Sequence, residues 1–67
     1  MISLSINGEP RQFPAPINVA KLIEILGYTG KRIALERNGE IVPRSQFNTT
    51  SLQPDDMLEI VVAVGGG

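Results

Sequence analysis

The sequence predicts an α+β domain: one mixed sheet of about four or five strands with a single main helix packed on one of its faces. Three observations carry this expectation. Alternating apolar residues mark strands at both ends of the chain, Asn-Gly dipeptides mark two hairpins, and a stretch of helical periodicity lies between those hairpins. A chain of 67 residues has room for one domain, which buries about 60% of the surface that the unfolded chain exposes.

Taken in order, Ile2, Leu4 and Ile6 alternate with Ser3 and Ser5, the period of a strand with one buried face. Asn7-Gly8 accepts the positive φ angles of a type I′ turn, so Glu9 to Phe13 should return as the second strand of a hairpin. Pro10 has no N–H to donate, which places that strand at an edge, and Pro14 and Pro16 end it. Asn18 is suited to cap a helix in which Val19, Leu22, Ile23 and Leu26 form the apolar stripe, and Gly27 can stop it in the left-handed conformation. Ile33 and Leu35 begin a second hairpin that turns at Asn38-Gly39 and returns over Glu40 to Val42 before Pro43. A loop or single helical turn, Arg44 to Thr50, leads to a possible short strand near Leu52. Pro54, Asp55 and Asp56 then turn the chain into its longest strand signal, Met57 to Val64.

These patterns predict a core in which Val19, Leu22, Ile23 and Leu26 face Leu4, Ile6, Leu35, Leu58 and Ile60. The first and last strands have long apolar faces and no internal proline, so they are expected to pair in parallel at the sheet centre. If Glu59 is solvated, Val61 and Ala63 lie on the open face of the sheet, beside Val64 and the outgoing terminus.

Composition removes several function classes. Without cysteine or histidine the chain has no thiol nucleophile, no disulfide and neither of the commonest transition-metal ligands. Six basic and seven acidic residues, with no run of either sign, leave no nucleic-acid footprint and no polybasic membrane patch. MISLSINGEP is not a charged leader followed by an apolar segment, and no apolar stretch approaches the roughly 20 residues of a membrane span. The expected location is therefore the cytoplasm.

Possible catalytic motifs have plainer explanations. Gly27-Tyr28-Thr29-Gly30-Lys31-Arg32 lacks the glycine spacing and the Ser or Thr of a phosphate loop, and fits a helix-ending loop. Asn48-Thr49-Thr50 is a surface loop, and Asp55-Asp56 fits turn chemistry. The remaining carboxylates are scattered without a nucleophile or acid-base partner, so no catalytic residue is assigned and an enzyme is not expected.

Gly65-Gly66-Gly67 buries no side chain and loses the most backbone entropy on ordering. It is either a frayed end or a tail that serves another protein. A tail of this kind spans about 10 Å, can enter a narrow tunnel, and can present its carboxylate to a partner's active site. With a pKa near 3.5 that carboxylate is ionised and a poor electrophile until a partner activates it. The domain organisation expected is 1–64 as the folded body and 65–67 as the tail.

The opening hairpin through NGEP, the helix VAKLIEILG, the central ERNGEIVPRSQF, the Asp55-Asp56 turn and the ending EIVVAVGGG resemble the ThiS family. These are sulfur carriers of thiazole (thiamin) biosynthesis with a ubiquitin-like β-grasp fold. The likeness covers essentially the whole chain. It is most specific over Glu36 to Phe47, where Phe47 stands at a position often held by Trp. The resemblance implies that an E1-like, ThiF-like adenylyltransferase uses Mg and ATP to adenylate Gly67. A sulfur donor protein then displaces AMP to leave a thiocarboxylate, and a ThiG-like thiazole synthase receives the sulfur. It implies no cofactor bound by this chain and is consistent with a tail of Gly65, Gly66 and Gly67 in the partner's tunnel, while the strand pattern makes the open sheet face around Val61, Ala63 and Val64 the expected docking surface. A MoaD-like carrier for molybdopterin synthesis and a ubiquitin-like modifier joined to lysine share the same tail chemistry.

Overall fold

The computed structural model describes residues 1–63. Strands β1 (Ile2–Ile6) and β2 (Glu9–Phe13) form the first hairpin, with Ile2 opposite Phe13 and Ile6 opposite Glu9. Its turn residues Asn7 and Gly8 have φ values of 51° and 85°, the positive pair that a type I′ turn requires. Helix α1 (Val19–Leu26) follows, then the hairpin of β3 (Ile33–Arg37) and β4 (Glu40–Ile41), a short 3₁₀ turn at Arg44–Gln46, and β5 (Met57–Val62). The sheet order is β2-β1-β5-β3-β4, with β1 and β5 parallel and the other pairs antiparallel. This is the expected ubiquitin-like β-grasp arrangement. Pro10 lies on the outermost strand, where its missing donor leaves no ladder bond unmade.

Both ends of α1 are closed by the residues the sequence offers. Asn18 Oδ1 accepts the Lys21 N–H at 2.8 Å, and the loop carbonyls of Thr50 and Phe47 accept the Val19 and Ala20 amides, each at 3.0 Å. At the other end Gly27 is left-handed at φ 80°, its N–H donating to Glu24 and the Tyr28 N–H to Ile23. That is a Schellman motif, so the stretch from Gly27 to Arg32 leaves the helix as expected. No helix among the described residues is long and apolar enough to cross a membrane.

The core contains Leu4, Ile6, Val19, Leu22, Ile23, Leu35, Leu58 and Ile60, as periodicity predicts. It also contains Phe13, Ile17 and Leu52, which periodicity misses, while Leu26 is half-buried at its margin. Ile17 and Leu52 are drawn in together: the Leu52 N–H donates to the Ile17 carbonyl at 2.9 Å, beside a single bridge between Asn18 and Ser51. This isolated bridge replaces the short strand expected near Leu52. Two strand ends also differ. β4 stops at Ile41, and β5 stops at Val62, with Ala63 beyond it and Val64 outside the described residues.

Two turn asparagines reach the central strand. Asn7 pairs its side-chain amide with Ile60, accepting its N–H at 2.8 Å and donating to its carbonyl at 3.1 Å. Asn38 Oδ1 accepts the Met57 N–H at 2.9 Å. The Asp55-Asp56 turn is present, with Asp55 at φ 69°, but Asp56 is more than a turn residue. It is buried, and its carboxylate accepts from Arg37 Nε at 2.8 Å, Asn38 Nδ2 at 3.0 Å and the Gln53 amide at 2.8 Å.

Burial pushes the Asp56 carboxyl up, but the Gln53 amide, Arg37 and Asn38 together outweigh it and hold the group below its ordinary value. A carboxyl with a depressed folded pKa stabilises the fold above its unfolded pKa, and that stabilisation is lost as pH falls through the folded value. The melting temperature should therefore fall between about pH 4 and more acid conditions. Asp56→Asn should lower the neutral-pH melting temperature and flatten this acid slope. An unchanged slope in the variant would assign the acid sensitivity to other groups.

Candidate functional site

Because strands alternate their side chains, the pairing register decides what the uncovered face of the sheet displays. Leu58, Ile60 and their partner Leu35 turn toward α1 and the core. Met57, Glu59 and Val61 of β5 therefore point the other way, and register sets Val61 opposite Ala34, Glu59 opposite Glu36, and Ser5 opposite Met57. On β4, Ile41 stands opposite Glu36. Val61 and Met57 are each 65% exposed and Ile41 is 72% exposed, so the open face carries large apolar side chains in water.

Of the docking residues expected from sequence, Val61 lies on this face with its side chain exposed. Ala63 is exposed just past the end of β5, and its N–H donates to the Arg32 carbonyl at 2.9 Å. Val64 and the tail residues Gly65, Gly66 and Gly67 lie outside the described residues. The structure thus brings Val61 and Ala63 to one end of the central strand, the point from which the remaining residues depart.

On the helix side of the sheet, a groove of about 280 Å³ has Ala20, Ile23, Tyr28, Ile33 and Phe47 among its lining residues, together with Lys31 and Arg44. Ile33 pairs with Val62, so this groove lies near the same end of β5. Phe47, half-buried, packs against the core there. Asp56, the one buried carboxylate among the described residues, has both oxygens committed to structural donors and offers neither acid nor base to a substrate. What the described residues offer is an exposed apolar face at the end of the central strand.

A family model described as the ThiS family matches residues 4–67. At the sequence level the chain is 44% identical over 66 residues to a thiazole synthase of Paramagnetospirillum magneticum, covering 98% of this chain and 20% of that protein. It is 39% identical to the ycf40 protein of Pyropia yezoensis, covering 98% of this chain and 93% of that one. The chain thus spans about a fifth of the thiazole synthase and nearly all of the ycf40 protein. Among solved structures it resembles the thiamine biosynthesis protein ThiS from Geobacter metallireducens, with a TM-score of 0.82, 29% identity, and 98% and 100% of the two chains covered.

Proposed function

Since the chain belongs to the ThiS family, we propose that it is a sulfur carrier of thiamin biosynthesis whose reacting group is the Gly67 carboxylate. The observation that carries this reading is the placement of β5: the central strand runs toward the glycines with the exposed Val61 and Ala63 beside their point of departure. The body is the handle, and the tail is the reactant. Ordering three glycines costs about 1–2 kcal/mol each, so contacts on the folded body must supply the affinity.

An E1-like partner brings Mg and ATP. The carboxylate oxygen of Gly67 attacks the α-phosphorus of ATP, pyrophosphate leaves, and the resulting acyl adenylate is an electrophile where the carboxylate was not. The terminal sulfur of a persulfide on a donor protein then attacks the acyl carbon and expels AMP. A thiol reductant attacks the donor sulfur of the resulting acyl disulfide, releasing the thiocarboxylate and leaving the donor in a disulfide with the reductant. Apart from that terminal carboxylate, no group of the carrier acts as acid, base or nucleophile in this proposed sequence. The sulfur acceptor is a thiazole synthase. In its favour, relatives named as thiazole synthases contain a stretch similar to nearly this whole chain within about a fifth of their length. Joining carrier to acceptor in one polypeptide raises their effective concentration. The setting proposed for the reaction is the cytoplasm.

The test is intact-mass analysis after incubation with an E1-like enzyme, Mg-ATP and a sulfur donor protein. One oxygen-to-sulfur exchange is expected, located at Gly67 by fragmentation. Val61→Asp should weaken association with the enzyme while leaving the tail able to react at saturating enzyme. Recovery of Gly67 joined to lysine side chains in cells, without the sulfur exchange, would replace the carrier reading with that of a protein modifier.

A further inference from the structure

The open face also carries an arrangement that stability alone does not favour. Glu36 of β3 and Glu59 of β5 stand directly opposite each other in antiparallel register. That spacing puts their Cβ atoms about 4.5–5.5 Å apart, where like charges destabilise a sheet. Among the described residues the ion pairs are Lys21–Glu24 and Arg37–Asp56, so neither Glu36 nor Glu59 has a cation within 4.0 Å. Neither carboxylate takes part in a side-chain hydrogen bond to another described residue.

Both acids line one depression of about 450 Å³, with Ser5, Asn38 and Met57 among its walls. Apolar groups surround the pair: Met57 within the same depression, Ile41 opposite Glu36, and Val61 two residues along β5 from Glu59. Glu59 precedes Ala63 by four residues, about 13 Å along an extended chain, so a partner engaging the tail reaches this depression with a surface of ordinary size.

We propose that Glu36 and Glu59 form the counter-charge for an arginine on the enzyme that activates the tail, its guanidinium lying across both carboxylates while Met57, Ile41 and Val61 pack around it. This rests on the sulfur-carrier reading for the partner's identity. Two adjacent carboxylates present acceptors side by side, which suits the planar, five-donor fork of arginine better than the single point charge of lysine. A bound divalent cation is a poorer fit, because hard cations take six or more oxygens and the described residues contain no group of three or more acidic ligands. The repulsion stored in the free carrier is relieved on docking, so association strengthens with the charge that weakens the isolated fold.

The experiment compares wild type with Glu36→Gln, Glu59→Gln, the double variant and Glu59→Lys. In the free protein each Gln change should raise the melting temperature by about 1–6 °C, since it removes a like-charge contact in a small domain. Glu59→Lys, which sets opposite charges face to face, should raise it as well. Binding to an E1-like adenylating enzyme from the same genome should move the other way. The double variant should lose at least about tenfold in Kd and most of its salt dependence, and Glu59→Lys should lose more. Sulfur acceptance at saturating enzyme should be retained in all four variants. If the Gln variants bind that enzyme as tightly as wild type, the arginine-docking proposal is wrong even though the carrier still loads. If wild type itself neither binds nor loads, the carrier reading fails and this proposal falls with it.

Discussion

Deleting Gly66 and Gly67 should abolish the proposed sulfur acceptance and leave the melting temperature almost where it was. The two residues have no side chains, so their loss removes no apolar side-chain area that could stabilise the body, while it moves the terminal carboxylate back to Gly65, about 7 Å short of the position the proposed reaction uses. Adding one residue after Gly67 should be equally inactivating. It displaces the reacting carbon by about 3.3–3.6 Å, as large as the whole separation of reacting atoms in a productive complex. Intact mass and thermal melting measured on the same samples separate chemistry from folding. An extended protein that still accepts sulfur at its end would show that the enzyme does not measure the tail, and the tunnel argument would be lost.

Leu58→Ala should cost about 2–5 kcal/mol, against a total of about 5–15 kcal/mol for an ordinary small domain. Leu58, the second residue of β5, is 1% exposed, and the helix that packs on that face contributes the fully buried Leu22. Few neighbouring groups can collapse into the space left behind, because β5 is paired on both sides, by β1 and by β3. The adjoining Met57 is 65% exposed on the opposite face, and Met57→Ala should fall within about 0.5 kcal/mol of the parent. Urea denaturation of the two variants gives the comparison directly. Equal midpoints would mean that the two faces of β5 have been assigned wrongly.

Periodicity is what made the strands and the helix legible. Ile2, Leu4 and Ile6 could only be a half-buried strand, and Asn7-Gly8 with Asn38-Gly39 specified the hairpins through their tolerance of positive φ. Phe13, Ile17 and Leu52 were illegible for the converse reason. Each is an isolated apolar residue among polar or proline neighbours, and its burial comes from a tertiary contact, as when the Leu52 amide meets the Ile17 carbonyl. Local turn chemistry accounted for Asp55 but not for Asp56, whose side-chain partners Arg37 and Asn38 lie on a hairpin distant in sequence.

The candidate site divides in the same way. The exposure of Val61 follows from the alternation of β5, which any reader of the strand can count. That Glu59 faces Glu36 does not follow, because facing depends on the register between β3 and β5, and nothing in the spacing of two glutamates 23 positions apart specifies it. The same holds for Asn7 and Asn38. As turn formers they were visible at once, whereas their bonds to β5 exist only because the topology sets that strand between the two hairpins.

The side-by-side, parallel course of β1 and β5 also determines how the molecule bears a pull. Tension applied through the tail acts along β5, across the hydrogen bonds that hold it. The Ser5 and Asn7 amides to Asp56 and Leu58, each at 2.9 Å, and the two bonds between the Asn7 side chain and Ile60 share that load together. On the other flank the five register positions shared with β3 share it as well. A strand loaded in this shearing sense yields only when many bonds fail at once, whereas one peeled from an edge yields one bond at a time. Under the proposed function, an enzyme that draws the glycines inward would therefore tug on a strand anchored on both flanks, and the domain could be gripped and released by its end without being unravelled.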